Sequence, residues 1–227
     1  MEEGEVASKL IVEYSNQEGK IRKAITGFSG YGLVAKQILD HIIGLGSELI
    51  AEIHSYRMPP VFLHRDGVGD NVSVKIYKYK DFALATSEIQ PQTPKGQFSL
   101  TWELVSYLKK LGVQEIYSLA AYVGSGNEEW EVGIVTTEKE LSEELREKGY
   151  KIVDEGSITG MNGLVLGVAK VLGMRGVCIL SLAREPIRDF KSALRGLKTL
   201  QRVINEDLKI EKFEEEMKSE ETSPEVT

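Results

Sequence analysis

Residues 25 to 42 read "ITGFSGYGLVAKQILDHI" and set out the layer architecture of this chain. An apolar strand ends at Gly27, and Gly30 and Gly32 follow it closely. Apolar side chains then recur at helical spacing through Leu33, Val34, Ile38 and Ile42. Strand, glycine turn and amphipathic helix in that order open an α/β layer. The glycines are spaced G-x-x-G-x-G, which is neither the G-x-G-x-x-G dinucleotide fingerprint nor the G-x-x-x-x-G-K-[ST] phosphate loop. Two readings of Gly27, Gly30 and Gly32 stay open. The loop can present bare amides at a helix N-terminus to an anion. Alternatively, glycine supplies the positive φ and close approach of a tight strand-to-helix turn, which is the plainer reading.

Working outward, residues 23–27 and 48–54 read as strands. Pro59 and Pro60 break the chain after them, and Asp66-Gly67 and Gly69-Asp70-Asn71 mark turns. Residues 72–79 and 82–87 alternate apolar and polar around Lys80-Asp81, as a hairpin does. A helix follows over 98–111, closed by Gly112. The segment 113–123 is apolar on both faces, as a central strand is. Residues 131–136 form a further strand, after which Thr137 and Glu140 suggest a capping box for a helix ending at Lys148-Gly149. A short strand over 151–154 leads to a second glycine-rich loop, GSITGMNG. A small-residue helix at 164–172, a buried strand at 176–182 and a helix at 189–205 complete the pattern. The alternation predicts an α/β protein with a mostly parallel central sheet, helices on both faces and one antiparallel hairpin extension.

The chain has 227 residues and a formal net charge of -7, a balance that argues against nucleic acid as the main partner. Residues 206–227 hold nine acids against three lysines, so that segment accounts for nearly all of the net charge. It reads as an acidic tail, helical to about residue 218 and disordered beyond. Residues 1–22 read as an N-terminal extension or strand and 23–205 as the folded body. No apolar run approaches the roughly 20 residues that cross a bilayer, and the acidic start MEEGEVAS lacks a signal segment, so a cytoplasmic protein is expected. Cys178 is the only cysteine and sits in the apolar run GVCILSL, as a buried structural thiol does.

Catalytic constellations are hard to find. His41, His54 and His64 show no metal-ligand spacing, and no H-E-x-x-H or G-x-S-x-G occurs. Ser125, in GSGNEEW, reads as part of a loop at a strand end. No catalytic residue, metal or cofactor is therefore assigned. Glu88 stands at a strand end, where α/β sites collect, as a ligand contact, a base or a loop cap. In the second glycine-rich loop Gly160, Asn162 and Gly163 are the residues that would meet a ligand. Gly160, Gly163 and Gly167 equally suit close approach of another backbone to the helix. Arg57, Arg65 and Arg184 are the loose cationic candidates for a phosphate.

Three segments together resemble the PAC2 family: GFSGYGLVAKQILDHI; ATSEIQPQTPKGQFSLTWELVSYLKKLGVQEIYSLAAYVG; and GSITGMNGLVLGVAKVLGMRGVCILSLA, with its T-G-x-x-G. The resemblance implies a three-layer α/β/α sandwich similar to nucleoside phosphorylases, an archaeal origin, and kinship with proteasome assembly chaperones. It further implies a non-catalytic homo-oligomer, trimer to pentamer, that binds proteasome α subunits or a related protein partner, often through the C-terminal tail. In this chain that tail ends in Glu225, Val226 and Thr227, without the hydrophobic-tyrosine motif usual for pocket anchoring. Some members carry an ATP-grasp label. The rival expectation is a nucleoside- or phosphate-type enzyme or ligand-binding protein using residues 27–32.

Overall fold

The structure is a computed structural model and describes residues 9–124 and 128–222. An eight-stranded sheet runs through the centre. Its strands are β1 (Lys9–Glu13), β2 (Lys23–Thr26), β3 (Glu48–Ser55), β6 (Val74–Tyr79), β7 (Phe82–Thr86), β8 (Glu115–Val123), β9 (Val132–Thr136) and β10 (Arg175–Ala183). A separate two-stranded arm, β4 (Phe62–Arg65) and β5 (Val68–Asn71), leaves the sheet between β3 and β6. The helices are α1 (Val34–Gly44), α2 (Pro94–Lys110), α3 (Lys139–Glu147), α4 (Gly160–Val171), α5 (Phe190–Ile204) and α6 (Ile210–Thr222).

The strand order is β1-β3-β6-β7-β2-β8-β10-β9. The α/β layering matches the expectation, and the sheet is mixed. β7, β2, β8 and β10 are mutually parallel. The antiparallel part exceeds one hairpin, because β3 and β1 extend the β6–β7 pair and β9 runs antiparallel to β10 at the far edge. Strand alternation separates the two faces. On β2, Ala24 packs with α2 and α4, whereas Ile25 packs with α1 and α5. Leu100, Leu104 and Leu108 of α2 and Met161, Val165 and Ala169 of α4 fill one side; Ile38 and Ile42 of α1 and Leu197 and Leu200 of α5 fill the other. Fully burying each of these leucine, isoleucine, valine and methionine side chains is worth about 1.5–3 kcal/mol.

Several elements differ from the sequence reading. The arm lies in the segment read as turns only; Asp66 and Gly67, both left-handed (φ 53° and 78°), form its two-residue turn. α2 and α4 each start one turn earlier than read, with Thr93 accepting from the Gly96 amide in α2 and Thr159 at the N-cap position of α4. Thr137 caps no helix: its hydroxyl accepts from the Gly176 amide, and Glu138 occupies the α3 N-cap. The short strand at 151–154 is reduced to a bridge between Ile152 and Ile134. In the acidic tail, α6 folds back onto α1 and α5. Phe213 is 3% exposed and meets the His41 ring edge-on, while His41 bonds the Leu208 carbonyl and Glu216. Glu225, Val226 and Thr227 lie outside the described residues, as does Ser125. No helix among the described residues is long and apolar enough to cross a membrane.

Candidate functional site

Carboxyl ends of parallel strands are where open α/β sheets bind ligands. Here three loops meet at the ends of β7, β2 and β8: residues 27–33, 87–91 and 157–160. The tie is Asn162, near the start of α4. Its Oδ1 accepts from the Phe28 amide at 2.9 Å, and its Nδ2 donates to the Phe28 carbonyl at 3.1 Å. Its own carbonyl accepts from the Ser118 hydroxyl of β8. Gln90 makes the second tie, donating to the Ser29 carbonyl and accepting from the Met161 amide. The Ser29 hydroxyl donates to the Glu88 carbonyl at 2.8 Å, and Thr86 donates to the Gly27 carbonyl at 2.7 Å.

The opening glycines have distinct jobs. A Cβ on Gly27 would lie 2.7 Å from the Ala35 carbonyl oxygen, so Gly27 lets α1 approach the strand end. Gly32 holds φ 62°, and a Cβ there would lie 2.8 Å from the Glu185 carbonyl oxygen. Gly30 is extended (φ -160°), and the nearest atom to its Cβ position is 3.8 Å away. Leu33 follows Gly32 in the left-handed region (φ 49°), a conformation that costs a side-chain-bearing residue energy and that no sequence signal announced. Four loop amides bond protein acceptors: Gly27 to Ala85, Phe28 to Asn162, Gly32 to Pro186 and Leu33 to Gly30. The Gly32 carbonyl accepts from the Asp189 amide and from Gln37.

The other candidates fall as follows. The Glu88 carboxylate turns to α1, 2.9 Å from Lys36 Nζ, which also bonds Asp40 at 2.6 Å. Burial works against the Lys36 charge, but Asp40 and Glu88 together raise its pKa. Burial likewise raises that of Asp40, against the pull of Lys36. Gly160 sits over Gln90, and a Cβ on Gly163 would overlap the Ile158 carbonyl, the close backbone approach that the spacing suggested. Arg57 lies over the Tyr56 ring and Arg184 pairs with Glu131 at 2.8 Å; the Arg65 side chain is outside the described residues. Among the described residues no group of His, Cys, Asp and Glu is arranged to hold a metal ion.

Sequence reasoning missed Gln90 and Asp189. Asp189 caps α5, accepting from the Arg184, Glu185 and Ser192 amides. Burial alone would raise its pKa, yet these amides hold the carboxyl below the usual aspartate range. In sequence Asp189 was read only as the first residue of the helix at 189–205.

Between the loops lies a cleft of about 650 Å³, lined by Gly30, Tyr31, Gln90, Gln97, Tyr122 and Asn162 among others. Its described lining contains no Asp, Glu, His, Lys or Arg. That lining offers amide, hydroxyl and backbone groups for recognition.

The model of the PAC2 family matches residues 24–223 of this chain. The uncharacterized protein MJ1210 of Methanocaldococcus jannaschii is 28% identical over 201 residues, covering 86% of this chain and 78% of that protein. The crystal structure of Pyrococcus furiosus PbaB, described as an archaeal proteasome activator, superposes with a TM-score of 0.84 at 23% identity, over 95% of this chain and 97% of that one. That of P. furiosus PbaA, described as an archaeal homolog of proteasome-assembly chaperone, gives 0.80 at 25% identity, over 93% and 92%.

Proposed function

The chain belongs to the PAC2 family, and from that premise we propose that it is a non-catalytic, proteasome assembly chaperone-like scaffold. On this reading it is a homo-oligomer of three to five copies that binds proteasome α subunits or a related protein. The observation that carries the reading is the family match over residues 24–223. The similarity to PbaA and PbaB supports the choice of partner. Exposed apolar side chains support protein contacts: Phe62 and Val68 on the arm, and Phe98 with Trp102 on α2. The acidic end, with Glu225, Val226 and Thr227, acts as the arm that reaches the partner.

On the same reading the layered body is an α/β/α sandwich similar to that of nucleoside phosphorylases. For a phosphate- or nucleoside-binding activity at Gly27, Gly30 and Gly32, the Gly27 and Gly32 amides would have to leave the Ala85 and Pro186 carbonyls. The test is native mass spectrometry of the full chain, alone and with purified archaeal proteasome α subunits. Oligomers and a mixed complex are expected, the complex weakening when residues 223–227 are removed. A species at 25.3 kDa that ignores the α subunits would overturn the proposal.

A further inference from the structure

The cleft at the strand ends continues into a second one of about 450 Å³, with Tyr122, Ser157, Ile158 and Leu180 lining both. The second cleft lies between α4 and the segment around Val153 and Ile158. Buried Leu166 and Leu180 form its apolar floor. Its aromatic wall is Trp130 stacked on Tyr122, ring centroids 5.5 Å apart. The α4 side is cut away at Gly167, where a Cβ would meet no atom within 4 Å. A glycine in mid-helix costs up to about 1 kcal/mol relative to alanine, and packing among the described residues does not require it here. A notch beside an apolar pocket suits a segment arriving from outside.

The rim supplies the charge preference. Asp154, Glu155 and Glu128 line the cleft along with one ammonium, Lys170, and Asp154 also pairs with the exposed Arg146 at 2.9 Å. The undescribed ends of this chain are unsuitable occupants. Residues 1–8 carry three glutamates and no lysine or arginine, and residues 223–227 carry one glutamate and no base. We propose that this trough binds an extended, basic segment of a partner protein, with one bulky apolar side chain seated against Trp130 and flanking Lys or Arg at the acidic rim. The inference rests on the protein-binding reading above and adds the chemistry of the bound segment.

The experiment titrates the full-length protein into fluorescein-labelled hexapeptides by fluorescence anisotropy. One probe carries phenylalanine flanked by lysine and arginine, and a second has those bases replaced by glutamate. Unlabelled phenylethylamine competes in a third arm. Saturable binding of the basic peptide alone is expected, weakening by about fivefold or more when salt rises from about 0.05 to about 0.3 M. Gly167→Leu builds into the notch from a Cβ position with no neighbour within 4 Å and should abolish binding while the protein stays folded by circular dichroism. The pair Asp154→Asn and Glu155→Gln should weaken binding and flatten its salt dependence. Equal binding of both peptides, no binding of either, or unchanged affinity in Gly167→Leu overturns the inference. Phenylethylamine competing as well as unlabelled peptide also overturns it, in favour of a small aromatic amine. A protein that captures α subunits but ignores the basic peptide sinks this inference alone. One that binds the peptide but not α subunits sinks only the choice of proteasome partner.

Discussion

Replacing Gly32 by alanine tests whether the opening glycines are a turn or a phosphate cradle. Gly32 sits at φ 62°, and its added Cβ would lie 2.8 Å from the Glu185 carbonyl oxygen and 3.0 Å from Asp189 Cβ. The left-handed backbone costs a residue with a Cβ roughly 1–2 kcal/mol. The overlap falls on backbone, which must shift, and overpacking of this kind adds about 1–3 kcal/mol. Gly32→Ala should therefore lose about 2–5 kcal/mol, or roughly 5–15 °C in Tm for a chain of this size. Gly30→Ala is the internal control. Its backbone is extended and its Cβ position is 3.8 Å from the nearest atom, so the change should stay within about 0.5 kcal/mol. Calorimetric melts of the three proteins, with and without millimolar phosphate, decide the matter. Gly30→Ala falling as far as Gly32→Ala would refute the assignment of separate roles. A phosphate-dependent rise in the wild-type Tm that vanishes in Gly32→Ala would refute the turn reading, because a ligand stabilises only the state that binds it.

Three further outcomes are expected. Asn162→Ala removes both bonds to the Phe28 backbone, each worth about 1–3 kcal/mol when the remaining partner stays buried and unpaired; urea denaturation should show the loss, and a change under about 0.5 kcal/mol would contradict the tie between the loops. Asp189 has a folded pKa below its ordinary value of 3.8, so its stabilisation is present above that pH and is lost as pH falls through the folded value; stability measured against pH should decline less steeply below 3.8 in Asp189→Asn, and an unchanged slope would reject its role. Burial pushes the Cys178 thiol up to about 12, so a thiol reagent should label it at the rate of global unfolding; rapid labelling of the folded protein would show the strand to be open.

What the sequence determined by itself follows from local rules. Apolar period and glycine punctuation placed β2, α1, the β6–β7 hairpin, β8, α5 and β10 to within a residue or two, because strand and helix periods are written in neighbouring residues. Gly173 and Asn205 ended their helices in the left-handed region, as their residue types allow. The family was legible too, since order and spacing of the three segments survive in the chain. The tertiary structure decided what depends on distant partners. Asn162 reads as one polar residue in a glycine-rich loop until the fold brings it to Phe28, 134 residues away. The place of β1 and β3 in the sheet was equally hidden, because alternation tells which side chains share a face and not which strand lies alongside. The acidic composition of residues 206–222 spoke for solvent, whereas Leu208, Ile210 and Phe213 together bury against α1 and α5. Ile210 and Phe213, three apart on α6, and Leu208 just before it suffice once a matching surface exists, and that surface is made by the rest of the chain.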